Sequence, residues 1–194
     1  MFPRGFKTWC ERVSLEQRKK LGLRPVDPLD PWSLAENLSV VVWLPEEIPD
    51  LDPDVLKTLL RDDPDSWSAV TISVGTKDGV ILNSTHSGGR PASDLTHELS
   101  HLILGHTPAR VDISENGLLI LATYNRAQEQ EAEWLAGCLL LPRDALLLIR
   151  RKKMSNSAAC ETYGVSLEML RFRLNVSGVN RQFTQRSSFA NKHL

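Results

Sequence analysis

The sequence is short of cysteine, of long apolar runs and of net charge, and each shortage excludes something. Cys10, Cys138 and Cys160 are an odd number in 194 residues, with no CxxC and no close spacing. A disulfide framework is therefore not expected, and the compartment reads as reducing. The longest aliphatic runs, Leu118 to Ala122, Cys138 to Leu141 and Ala145 to Ile149, fall far short of the ~20 residues that a membrane span needs. The start, MFPRGFKTWCERVSLEQRKK, has no apolar h-region of a secretion signal. A cytoplasmic protein that does not engage membranes is expected.

Net charge is nearly absent as well. The 23 Lys and Arg against 24 Asp and Glu give −1, which argues against an overall basic nucleic-acid binder. The average hides a split. From Arg143 onward there are 10 basic and 3 acidic residues, a net of +7, and the remaining 13 and 21 leave −8 for the part before it. With 41% hydrophobic and 24% charged residues, the chain can fill one sizeable core, and fibrous or fully disordered states are excluded.

Hydrophobic period divides the sequence in two. Trp9 to Leu21 reads as a short amphipathic helix, and Asp30 followed by Pro31 opens another over DPWSLAENL. Leu38 to Leu44, Trp67 to Val74 and Val80 to Asn83 are strand-like runs, the last two joined by hairpin chemistry at Gly75 to Gly79. Residues 52–61 suggest a further short helix. From Ser93 onward the period is helical: a helix through SDLTHELSHLILGH capped by Ser93 or Asp94, one from about Asn125 to Leu141 stopped by Pro142, and one from Arg143 to about Lys153. Two short helices follow, Ser157 to Tyr163 and Ser166 to Leu174, broken at Gly164-Val165, and then a loosely ordered tail from Ser177.

The informative segment is His97-Glu98-Leu99-Ser100-His101. Residues four apart stack on one helix face, so both imidazoles can reach one metal ion, while Glu98 is rotated by about 100° toward a bound water. Two neutral histidines and a carboxylate that leave one position open suit catalytic Zn²⁺. Such an ion lowers the pKa of water toward ~7 and Glu98 can take its proton, which is the chemistry of peptide-bond hydrolysis. The competing view is an ordinary amphipathic helix whose two histidines sit one turn apart by coincidence, but burial of Leu95, Leu99, Leu102 and Ile103 on one side leaves the His-Glu-His cluster in need of a partner or a cavity.

A third ligand is needed, and the next helix offers Glu129, Glu131 and Glu133. Glu129 lies close to the stripe of Ala132, Ala136 and Leu140, whereas Glu131 points about 160° away from it. Glu129 is the candidate ligand. Glu133, one turn on, is a candidate hydrogen-bond partner for a ligating histidine. His106 is five residues beyond His101, where the longer HExxHxxGxxH motif requires six, so it is expected to end the helix near its carbonyls. His86 and Arg90 are candidate substrate contacts. A structural zinc site would be closed by four protein ligands, and only three good ones are present, which favours catalysis.

PASDLTHELSHLILGH, then EQEAEWLAGCLLLP, then ETYGVSLEMLRFRL resemble the ImmA/IrrE metallo-endopeptidase family, whose members share an HExxH helix and a later E-x-x-A-N/D-x-F-A-x-x-L-L-x-P helix. PLDPWSLAENLSVVV is similar to that family's leading helix and first strand, and the resemblance spans about Leu21 to Asn175. It implies a zinc protease acting on a helix-turn-helix transcriptional repressor, with His97 and His101 as ligands, Glu98 as general base and Glu129 as ligand carboxylate. Glu133 stands where Asn or Asp is usual, and Leu135 where Phe is usual.

The expected fold is α+β. A small, mostly antiparallel three-stranded sheet packs on the HExxH helix and the ligand helix, followed by a helical, helix-turn-helix-like subdomain. The expected boundaries are 1–142 for the metallopeptidase core, 143–176 for the helical subdomain and 177–194 for a flexible tail. The basic end leaves a second reading open: a DNA-binding or regulator-binding module with a degenerate or structural metal site. There Arg171 and Arg173 would face DNA, and Arg150 to Lys153 would meet phosphates.

Overall fold

A computed structural model describes residues 2–74, 77–106, 111–113, 119–121 and 125–183. Helix α1 (Phe6–Lys20) buries Cys10, Val13, Ser14, Gln17 and Arg18, the single stripe that a spacing of three and four residues produces. Asp30 caps α2 (Pro31–Asn37) by accepting the Ser33 amide at 2.9 Å, with Pro31 in the first turn, as the sequence predicts. Helix α3 (Pro53–Lys57) runs on into a wider turn at Thr58–Asp62.

Three strands form the main sheet: β1 (Val41–Trp43), β2 (Ala69–Val74) and β3 (Lys77–Leu82), in the order β1-β3-β2. The sheet is mixed, which corrects the mostly antiparallel expectation. The β2–β3 pair is antiparallel, but β1 runs parallel to β3 with Val42 opposite Val80. A parallel neighbour needs a crossover of a dozen or more residues, and the segment through α3 and β2 provides it. Gly79 lies inside β3, opposite Val41 and Ile72, and not in the hairpin turn. A Cβ there would collide with the Trp43 ring, so glycine is what lets that indole lie across the sheet. Residues 75 and 76 of the expected turn lie outside the described residues.

Helix α4 (Arg90–Leu104) begins three or four residues before the expected Ser93 or Asp94 cap, with Gly89 preceding it and Pro91 in its first turn, where a missing N–H costs nothing. It buries Leu95, Thr96, Leu99 and Ser100, and the two hydroxyls are satisfied by carbonyls one turn back. A two-stranded ladder that the sequence pattern did not reveal, β4 (Val111–Ile113) with β5 (Leu119–Leu121), precedes α5 (Arg126–Leu140). Helices α6 (Arg143–Arg151), α7 (Asn156–Tyr163) and α8 (Leu167–Val176) follow, with Ser155 and Ser166 as side-chain N-caps of the last two.

Two apolar clusters meet along α5. One joins α1, α2, α4 and the sheet to Leu135 and Leu139; the other gathers Leu140, Leu146, Ile149, Tyr163, Leu170 and Leu174. The C-terminal carbonyls of α5, which have no partner within the helix, are claimed from both sides. Ser14 Oγ donates to the Cys138 carbonyl at 2.6 Å, Arg18 to that of Leu140 at 3.4 Å and Arg173 to that of Leu141 at 3.0 Å. Burial lowers the Arg18 pKa to about 10. Val179 is fully buried in the second cluster, and Asn180 and Gln182 accept hydrogen bonds from Arg150 and Arg143. The chain is therefore docked through this stretch, where a flexible tail is expected; 184–194 lie outside the described residues.

Candidate metal centre

With the apolar stripe of α4 turned to the core, His97 and His101 are left one turn apart on its other side, partly exposed. The first turn of α5 comes to meet them. Asn125 caps that helix by accepting from Ala127 and Gln128, which places Glu129 in its first turn. A carboxylate is favoured there by the helix dipole.

The three side chains converge. His97 Nε2 is 3.1 Å from Glu129 Oε2, His101 Nε2 is 3.1 Å from His97 Nε2, and His101 Nε2 is 3.6 Å from Glu129 Oε1. A tetrahedral ion with ligand bonds of 2.0–2.1 Å separates its ligands by about 3.3 Å, so these spacings fit one small ion. The donor set, two imidazoles and a carboxylate, also suits zinc. Burial holds His101 near pKa 4, with the neighbouring His97 adding to the effect. It is thus neutral and ready to ligate at ordinary pH.

Glu98 faces the sheet. Its Oε2 accepts the Thr71 hydroxyl of β2 at 2.5 Å, and the Thr71 backbone adds a further hydrogen bond. Burial raises the Glu98 pKa and outweighs these bonds and the nearby His97. Thr71 is 27 residues away in sequence, and no local signal marks it.

Other expected site residues lie elsewhere. Glu133 is exposed on α5, and the nitrogen of His101 that faces away from the cluster is met by His106, not by Glu133. His106 Nδ1 is 3.0 Å from His101 Nδ1, and His106 Nε2 is 3.3 Å from Glu131 Oε2. Glu131 does point away from Glu129 on the helix; the chain reversal at Gly105 carries His106 round to it. His86 is a buried side chain whose Nδ1 lies 2.8 Å from Asp94 Oδ2. Arg90 reaches Ser68 and lies 3.8 Å from Asp94. It starts α4 seven residues before His97, about 10 Å along the axis. At the basic end, Arg173 is 1% exposed and cannot face DNA.

An α+β fold whose helix pair brings two imidazoles and a carboxylate within reach of one ion has the build of a metal-dependent protein. The family is more specific. Residues 58–175 match the model of the IrrE N-terminal-like domain (Peptidase_M78), more than half of the sequence, and the chain belongs to that metallopeptidase family. Compared with curated proteins by sequence, it matches none. Among solved structures it is similar to a Mycobacterium tuberculosis transcriptional regulator, with 15% identity and a TM-score of 0.49, over 89% of this chain and 47% of that one. The chain thus spans about half the length of that regulator.

Proposed function

We propose that this chain is a zinc-dependent endopeptidase that hydrolyses a peptide bond in a regulatory protein, with a helix-turn-helix transcriptional repressor as substrate. The observation that carries the reading is the convergence of His97, His101 and Glu129 at ion-binding distances, with Glu98 beside them. A bound Zn²⁺ supplies a Lewis acid that polarises the scissile carbonyl and makes water acidic. Glu98 takes the proton of the attacking water and returns it to the departing amine. Burial, by raising its pKa, favours the uptake step. Thr71 holds one carboxylate oxygen and fixes the orientation of the group.

Membership of the IrrE N-terminal-like family supports a repressor as the substrate. Residues 1–142 act as the peptidase core and 143–176 as a helical subdomain packed on its ligand helix. A cytoplasmic location agrees with three free cysteines and with the lack of any described helix long and apolar enough to cross a membrane. The alternative of a DNA-binding module loses one of its two recognition-helix arginines, because Arg173 is buried.

Metal analysis of the purified chain tests the reading. One zinc per chain, lost in His97→Ala and retained in Glu98→Gln, is the expected result. A wild-type chain that takes up no divalent metal overturns it.

A further inference from the structure

His106 has no part in the three-ligand cluster, yet its side chain is 7% exposed and wedged between a ligand helix on each side. Gly105 ends α4 in the left-handed region, at φ 67°, a conformation that costs a non-glycine residue roughly 1 kcal/mol or more. That turn lets the His106 amide donate back to the His101 carbonyl at 3.0 Å and brings the His106 ring edge-on to that of His101, with centroids 5.0 Å apart.

The two Nδ1 atoms are 3.0 Å apart, a distance that requires one hydrogen between them. Only one placement is compatible with a ligand site. His101 Nε2 faces His97 and Glu129 and must offer a lone pair, so a neutral His101 carries its hydrogen on Nδ1 and donates to His106 Nδ1. His106, accepting there, carries its own hydrogen on Nε2, where Glu131 Oε2 waits at 3.3 Å. The opposite placement aims an N–H from His101 Nε2 at His97 Nε2 and closes the site.

We infer that His106 and Glu131 are positioning residues, a hydrogen-bond relay that locks His101 in its Nδ1–H tautomer and so holds its Nε2 toward the ion. The relay rests on the metal-site reading above. It applies the general use of carboxylate and imidazole partners behind a ligating histidine, but on the histidine whose spacing from His101 excludes it from the longer HExxH motif.

Zinc affinity, measured on the full chain by competition with a chromophoric chelator, tests it. His106→Phe fills the space without an acceptor and is expected to weaken binding ~10–100-fold. Glu131→Leu is expected to weaken it in the same direction, while Glu131→Gln, whose amide oxygen still accepts, restores near wild-type affinity. In the zinc-loaded wild type, ¹⁵N-resolved imidazole spectra should show the proton on Nδ1 of His101 and on Nε2 of His106, a readout that simple packing would not move. Wild-type affinity in His106→Phe, or the reverse tautomers, overturns the relay alone. Failure of the wild type to bind zinc overturns both the relay and the metal site.

Discussion

Arg173 of α8 donates to the Glu11 carboxylate of α1 at 2.5 Å, across 162 residues of sequence, while its Nε donates to the Leu141 carbonyl at the end of α5. The other Glu11 oxygen accepts the Arg143 amide at 2.9 Å. One carboxylate thus joins the first helix, the start of α6 and α8 around the C-terminus of the helix that carries Glu129. The metal centre sits at the opposite end of α5, so its geometry depends on how that helix is anchored here.

Removing Arg173 takes its partner from the half-buried Glu11 carboxylate and leaves the Leu141 carbonyl without its donor. Arg173→Met is expected to destabilise the chain by about 3 kcal/mol, read as a lower midpoint in urea. Arg171→Met, at an exposed position on the same helix, should change stability by less than about 0.5 kcal/mol.

Glu98→Gln keeps a hydrogen-bonding group of the same size beside Thr71 but cannot shuttle a proton. Metal content should stay at the wild-type level, and cleavage of the substrate repressor should fall by about 10²–10⁴-fold. A variant that cleaves at the wild-type rate would remove Glu98 from the proton transfer.

Binding to the folded state alone links metal to stability. At free zinc near a thousand times the dissociation constant, chelation should cost the wild type about 4 kcal/mol and lower its melting temperature. Glu129→Ala and His97→Ala should melt at the same temperature with and without chelator.

Gly79 lies beneath the Trp43 ring, which leaves no room for a methyl group. Gly79→Ala is expected to cost about 1–3 kcal/mol through overpacking. Trp43→Leu in the same chain should recover part of that loss, which a thermal melt of the single and double variants would show.

Much of the site is legible in the sequence because helical spacing is local. The pair His97 and His101 follows from a separation of four, and Glu129 from its phase relative to Ala132, Ala136 and Leu140. The partners of these groups are less legible. Thr71 touches Glu98 from another element, and His106 reaches His101 only because Gly105 reverses the chain. That glycine, just past the apolar stripe of α4, is the available signal. It predicts a reversal but not which side chain the reversal brings home.

The basic end shows the same limit from the other direction. Counting charges places Arg173 with Arg171 on a surface, because charge is a property of composition. Burial is a property of packing, and Arg173 turns inward to unpaired carbonyls. The sequence by itself determined the helix phases, the cap at Asp30 and the ligand residue types, since each depends on neighbours within about one turn. Only the tertiary structure decided the parallel seating of β1 on β3, the burial of Arg173 and the partner of each site residue. Those depend on which surfaces meet, and contacts between residues far apart in sequence leave no period in it.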